Sequence, residues 1–510
     1  MSNSLAIATA TGVADAVADA LADPALNLTR QRHLRPSQLA MREAISTPTQ
    51  SWPETPNDNK KRRRRRFGDM AFVAGPTIFE SELSRTSLFS GFYVLFWMST
   101  FFLFIKTVVA NYINDGYLLP TNIVRILYRD LVKIAATDLF LFLACFANVG
   151  VQKLVADRKL PWSSAVQIGQ TLCEFAFVGF AIYWPIHNDY PWIGRVFLLL
   201  HSLVLLMKQH SYAFYCGYLS NQRSRQTKFR NKRLDARGLE PGRVMEELQE
   251  EIDFCESELR SSLSPSNPVT YPANVTFINF FWYMMFPTLV YEIEYPRTKR
   301  IDWTYVCEKV AAIFGVFFLM IMLAEQFFYP IVMRALSLRA LPIFEKAKLY
   351  PLLLLDLICP FILMYLLTWY IIWEAILNAI AELARFADRR FYGPWWNSTS
   401  WDQFAREWNV PVHLFLLRHV YHSSISAFHV SKPTATIMTF LTSSVIHELA
   451  MFVIFKKFRG YLLALQMFQL PLVKLCNTSF MRNHLKLGSL MFWIGICTGP
   501  SIMCVLYLTF

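Results

Sequence analysis

Phe440-Leu-Thr-Ser-Ser-Val-Ile-His-Glu-Leu-Ala-Met-Phe-Val-Ile-Phe455 is apolar enough to cross a bilayer, yet it carries a histidine and a carboxylate, His447 and Glu448, at its middle. Ionisable side chains at membrane depth are expensive and face a bundle interior or a wet cavity. Further apolar segments recur along the chain, near 88–110, 131–152, 165–186, 194–217, 304–328, 350–377, 434–456, 459–476 and 487–509. Each is close to the roughly 17–25 residues that span a hydrocarbon core. The expected fold is therefore an all-α polytopic membrane protein with about nine transmembrane helices.

Composition agrees. Only 17% of residues are charged and 54% are hydrophobic, whereas soluble domains carry roughly 25% charge. The net charge of +13 owes part of its size to the run Lys60-Lys-Arg-Arg-Arg-Arg-Arg66. In a membrane protein such a run holds the preceding chain in the cytosol and touches anionic lipid, so no nucleic-acid partner is expected. The nine cysteines form no CxxC pair and fall mostly in apolar segments, where Cys acts as a small hydrophobe. No apolar core of a secretory signal is visible in the first sixty residues, so an internal segment is expected to direct insertion.

Residues 1–85 read as a disordered cytosolic region, with one short helical pattern over Val13–Asp23, and 86–510 as the membrane domain. Two polar sections interrupt the spans, at about 220–270 and 378–433, both expected in the cytosol. The first joins the basic stretch Arg223–Arg233 to an acidic helical pattern over Met245–Arg260. The second holds Trp395, Trp396, Trp401 and Trp408. Disordered segments are poor in aromatics, so this loop is expected to be folded at the membrane interface.

Several residues have the character of a site. His447 follows Ser443 and Ser444 by one turn, and a neutral buried imidazole there is able to accept a proton from an alcohol. Asn409 and His413 share a helical face, and Pro411 makes Asn409 a cap; the capping and chemical roles both stay open. Arg418 and His422 form a basic cluster suited to coenzyme A phosphates or lipid headgroups. His419-Val-Tyr-His422 has close histidine spacing, but no Cys or carboxylate completes a familiar ligand set, so no metal is expected. In His201–Tyr212, Lys208 reads as a snorkelling residue, while His210 and Tyr212 add polar groups where a lipid headgroup would lie. No Gly-x-Ser-x-Gly elbow is present, so direct attack by an acceptor hydroxyl on a thioester is simpler than a covalent acyl-enzyme.

Phe391-Tyr-Gly-Pro-Trp-Trp-Asn397, Trp408-Asn409 with Pro-Val-His413, and the intramembrane His447 resemble the membrane-bound O-acyltransferases. Met207-Lys-Gln-His-Ser-Tyr212 and Phe286–Arg297 are similar to the sterol branch, and Arg418–Ser424 with Gly495–Pro500 to its fungal version. The resemblance covers about 85–510. It implies a helical bundle enclosing a reaction chamber, in the endoplasmic reticulum, as a homodimer or homotetramer. The implied reaction moves a fatty acyl group from acyl-CoA to the 3-hydroxyl of a sterol, ergosterol for the fungal type. By the same resemblance His447 is the base and Asn409 its companion. Tyr392, Trp396, Asn397, Trp408, His413, Arg418 and His422 belong to the acyl-CoA side, and His210 and Tyr212 to the sterol side. Acyl-CoA is a co-substrate, and no metal or redox cofactor is implied. The family motif has Asp where this chain has Pro394, which removes a carboxylate and a backbone N–H. Diacylglycerol as acceptor, or a lipid-binding paralogue impaired at Pro394, are the alternatives.

Overall fold

The structure is a computed structural model, and it describes residues 72–81, 90–116, 124, 128–235, 242–261, 263 and 268–509. The basic run and the Val13–Asp23 pattern lie outside the described residues. Among the described residues the chain is helical, with three isolated β-bridges.

Among the described residues eight helices are long and apolar enough to cross a membrane. They are α1 (Ser90–Asp115), α2 (Leu131–Ala156), α3 (Ser164–His187), α4 (Trp192–Asp235), α7 (Trp303–Ala340), α8 (Ile343–Leu383), α11 (Lys432–Phe455) and α15 (Leu485–Thr509). Between them lie α5 (Gly242–Leu259), α6 (Phe277–Met285), α9 (Trp401–Glu407), α10 (Val410–Phe415), α12 (Tyr461–Met467), α13 (Gln469–Cys476) and α14 (Ser479–Asn483). Their outward faces are Phe, Leu and Val, as a lipid solvent requires. α1 shows this most clearly, with Phe92, Phe101, Phe102 and Ile113 all exposed. Its contacts with the rest include Phe104 edge-on to Phe318 and Trp97, which lies so close to Gly315 of α7 that a Cβ there would come within 2.8 Å of the indole.

One expected span is different. The 459–476 segment forms the 16-residue apolar stretch Tyr461–Cys476, divided into α12 and α13 at Phe468. At ~1.5 Å per residue it reaches ~24 Å, short of a hydrocarbon core of ~30 Å. The polar section after the fourth span also takes an ordered form. α4 runs for 44 residues, about 66 Å at ~1.5 Å per residue, so its basic end projects well past a bilayer. There α5 packs along it, with Arg225 paired to Glu251 at 3.6 Å and Arg230 to Glu256 at 3.2 Å. Opposite charges in the two sequences thus become facing sides of one helical pair.

Residues 72–81, assigned from sequence to the disordered region, are held against the domain. The Gly75 amide donates to Ala387 O at 3.1 Å and the Arg389 amide to Gly75 O at 3.0 Å. Phe72 packs edge-on to Tyr295, and Phe79 lies against Trp369, Tyr370 and Trp396. An aromatic anchor at each end and a backbone bridge between them suffice to order ten residues.

Among the described residues π-helical turns interrupt three helices: Ala324–Phe328 within α7, Tyr370–Ile376 within α8, and Leu416–His422, which continues α10 into Ser423–Phe428. Such turns are rare and cluster at functional sites. The last two each carry a buried charged residue, Glu374 and Arg418.

Candidate active site

His447 sits in α11, one turn after Ser443. Its Nδ1 lies 2.7 Å from the Ser443 carbonyl oxygen. A carbonyl only accepts, so Nδ1 carries the hydrogen, and a neutral ring then offers Nε2 as an acceptor. The helix is fixed on one side by α4: Ile446, Leu449, Ala450 and Val453 cluster with Leu199, Leu203 and Leu206. On another side it packs against the π turn Leu416–His422. Glu448, the next residue, is fully buried and wholly engaged. Its carboxylate accepts from the amides of Arg459, Gly460, Leu462 and Leu463 and from Tyr507 OH at 2.7 Å. It ties α11 to the start of α12 and to α15. Of the two ionisable side chains that marked this helix, one is structural and one is open.

Asn409 caps α10, its Oδ1 accepting from the Val412 amide at 3.2 Å. Its Nδ2 has no hydrogen bond among the described residues and is free to donate. His413 lies on the first turn of α10, outside the eight spanning helices. Burial and then the Arg406 charge push its pKa down to about 4, so the ring is neutral near pH 7. His422 is half-buried, and burial with the Arg418 charge lowers its pKa.

Two sequence expectations are corrected here. Arg418 is 1% exposed and so does not present its charge to coenzyme A phosphates or headgroups. Its Nη1 donates to Glu292 Oε1 at 2.7 Å and to Tyr291 O at 3.1 Å, and the guanidinium lies 4.3 Å from the Tyr215 ring centre. Lys208 does not snorkel. It is buried, and its Nζ donates to the carbonyls of Tyr283, Met284 and Phe286 at 2.9, 3.2 and 2.6 Å. These are carbonyls at the end of α6, which a helix leaves without partners of its own. Tyr212 is likewise fully buried, its ring packed against Phe280 and Tyr291.

His210 faces a group the sequence reading did not identify. Its Nδ1 is 2.9 Å from Glu174 Oε2 of α3, and Gln170 Nε2 donates to Glu174 Oε1 at 2.9 Å. The ring stacks on Phe214 and meets His419 edge-on, with centroids 5.2 Å apart. His419 Nε2 lies 2.8 Å from Ser211 Oγ, which also accepts the Tyr291 amide. Glu174 is a carboxylate inside an apolar helix, the same signal that singled out His447.

The aromatic loop forms a separate wall. Phe391, Tyr392 and Trp395 are buried, Trp396 is half-buried and Asn397 is exposed. Tyr392 OH donates to Glu374 Oε2 at 2.6 Å, and Glu374 is paired to Lys309 at 2.6 Å. Trp408 stacks on Phe404 and touches Trp373. The Gly393 amide donates to Glu407 O at 2.6 Å, and the Val410 amide to Phe391 O at 3.0 Å, so the loop is laced to the segment that leads into Asn409.

Residues 91–509 match the model of the MBOAT, membrane-bound O-acyltransferase family. The chain belongs to that family. Among its relatives, Sterol O-acyltransferase 2 of Saccharomyces cerevisiae is 46% identical over 437 residues, covering 83% of this chain and 67% of the relative. Sterol O-acyltransferase 2 of Candida albicans is 43% identical over 494 residues, covering 89% and 80%. Diacylglycerol O-acyltransferase 1 of Dictyostelium discoideum is 31% identical over 247 residues, covering 48% and 39%.

The departure from the membrane-bound O-acyltransferase pattern at Pro394 has a local explanation. Pro394 has φ −75° and ψ 56°, and the Trp395 amide donates to Gly393 O at 2.8 Å. That is an inverse γ-turn, whose central φ matches the angle proline imposes. The loop is braced by its backbone and by Tyr392, without a carboxylate at 394. Pro394→Asp is therefore expected to lower stability by about 0.4–1 kcal/mol through the unfolded state and to leave turnover unchanged. Thermal unfolding and initial rates of the purified variant check this; a tenfold gain in rate would show that the natural loop is impaired.

Proposed function

We propose that the chain is an acyl-CoA:sterol O-acyltransferase that forms steryl esters from a fatty acyl-CoA and the 3-hydroxyl of a sterol, with ergosterol as acceptor. The observation that carries this assignment is the similarity, over 83–89% of the chain, to fungal relatives named sterol O-acyltransferases, together with Asn409, His413 and His447 standing intact. In the proposed step His447 Nε2 takes the hydroxyl proton as the alkoxide oxygen attacks the thioester carbonyl carbon. The C–S bond then breaks, and the imidazolium returns the proton to the thiolate, releasing coenzyme A. Asn409 Nδ2 donates to the carbonyl oxygen as it gains negative charge. His413, neutral and adjacent, with Tyr392, Trp396, Asn397, Trp408 and His422, lines the acyl-CoA side in this scheme. His210 lies on the sterol side.

The basic run favours a cytosolic N-terminus by the positive-inside rule. The resemblance supports an endoplasmic-reticulum membrane and a homodimer or homotetramer. Microsomes bearing the protein are expected to convert labelled oleoyl-CoA and ergosterol to steryl ester. The shorter, weaker similarity to a diacylglycerol enzyme defines the competing reading. Acceptor competition decides it: preferential labelling of triacylglycerol when both acceptors are present would replace the sterol assignment.

A further inference from the structure

Glu174 lies near the middle of spanning helix α3, 6% exposed, and both of its oxygens are engaged: Gln170 at Oε1 and His210 at Oε2. A carboxylate at that depth is costly unless its hydrogen bonds are made within the protein. An apolar residue would hold α3 against α4 more cheaply. What the carboxylate adds is control of one imidazole.

An ionised carboxylate accepts only, so Nδ1 of His210 must carry the hydrogen on that side. Nε2 of a neutral ring is then an acceptor. It has no hydrogen bond among the described residues, and the side chain is 24% exposed while its carboxylate partner is 7% exposed. Phe214 stacks on one face of the ring at 4.2 Å, and His419 meets it edge-on, itself held by Ser211. The ring is thus fixed in tautomer and in plane. Its position along α4 gives it a direction as well. Leu199, Leu203 and Leu206 pack against the helix that bears His447, and His210 follows Leu206 by one turn on that same face.

We infer that Glu174 is a positioning residue, which holds His210 with Nε2 open as the docking acceptor for the hydroxyl of the incoming alcohol. This rests on the acyltransfer reading given above. A hydroxyl has one hydrogen, so a docked alcohol must turn it from His210 to His447 before the chemical step. His210 therefore contributes to capture of the acceptor and not to the barrier, and the effect belongs in KM for the sterol.

Glu174→Gln tests this with no change in size. A glutamine is able to donate to Nδ1, which allows the other tautomer and turns Nε2 into a donor. The variant is expected to raise KM for ergosterol about three- to tenfold, the range that loss of one hydrogen bond gives. The kcat and the KM for oleoyl-CoA are expected to stay within about twofold, since loss of ground-state docking spares turnover. His210→Ala is expected to give the same shift, and the double variant no more than either alone. Should Glu174→Gln fail to accumulate, Glu174→Asp, which keeps the acceptor at shorter reach, is expected to show a smaller rise in sterol KM. A purely structural role predicts a lowered unfolding midpoint and equal effects on both substrates, and that pattern would overturn the inference. So would an unchanged sterol KM in an active protein. Wild-type membranes that make no steryl ester would instead remove the acyltransfer reading on which the inference stands.

Discussion

His447→Ala is expected to lower steryl-ester formation by about 10²–10⁴-fold, the usual contribution of a positioned general base, with normal accumulation of the protein. The stability half of this expectation follows from geometry. Among the described residues the imidazole is bonded only to the Ser443 carbonyl of its own helix. Alanine favours helix more than histidine does, and α11 is held through Ile446, Leu449, Ala450 and Val453, none of which changes. The activity half follows from chemistry. Without Nε2 nothing in the proposed scheme takes the hydroxyl proton, and a sterol hydroxyl attacks a thioester poorly while it keeps that proton. Rates with labelled oleoyl-CoA, alongside thermal unfolding of purified wild type and variant, separate the two halves. Undiminished turnover in a folded His447→Ala protein would remove His447 as the base. A variant that fails to fold would instead give the imidazole a structural role, which its single local hydrogen bond does not suggest.

Sequence made the spanning helices legible because each is a long apolar run, and His447 legible because it breaks one. The same rule reached Glu448 without distinguishing its role. Only the fold brings the amides of Arg459, Gly460, Leu462 and Leu463 around that carboxylate. Arg418 shows the limit more plainly. Its helical neighbours suggest a basic patch, but Glu292 lies 126 residues away in sequence and takes the charge inward. Lys208 fails in the same way, for its three carbonyl partners are backbone groups that no side-chain pattern records. The π turn at Leu416–His422 is also invisible to a periodicity argument. Within it Arg418 and His419 reach two different partners, Glu292 and Ser211. Glu174, by contrast, was within reach: an acidic residue in the apolar run 165–186 satisfies the criterion that selected His447.

Lys309→Met is expected to destabilise the protein by about 3–5 kcal/mol, the effect of removing one member of a buried ion pair. Lys309 of α7 and Glu374 of the α8 π turn are 5% and 1% exposed and meet at 2.6 Å. Glu374 also accepts Tyr392 OH at 2.6 Å, and Lys309 lies 3.4 Å from Glu80 of the segment that crosses the aromatic loop. Removing the lysine leaves a buried carboxylate with no cation in contact among the described residues, and Glu80 loses its lysine as well. The cost is therefore the uncompensated charge and not the net worth of the pair, which is small when both members are replaced together. Lys309→Met with Glu374→Gln removes both charges but keeps an acceptor for Tyr392, so the double variant is expected to recover most of the lost stability. Because Tyr392 belongs to the loop proposed to line the acyl-CoA side, the single variant is also expected to raise KM for oleoyl-CoA more than KM for ergosterol. Thermal unfolding in lipid nanodiscs and two-substrate kinetics measure both effects. A single variant as stable as wild type, or a double variant no better than the single, would show that the pair does not anchor the loop.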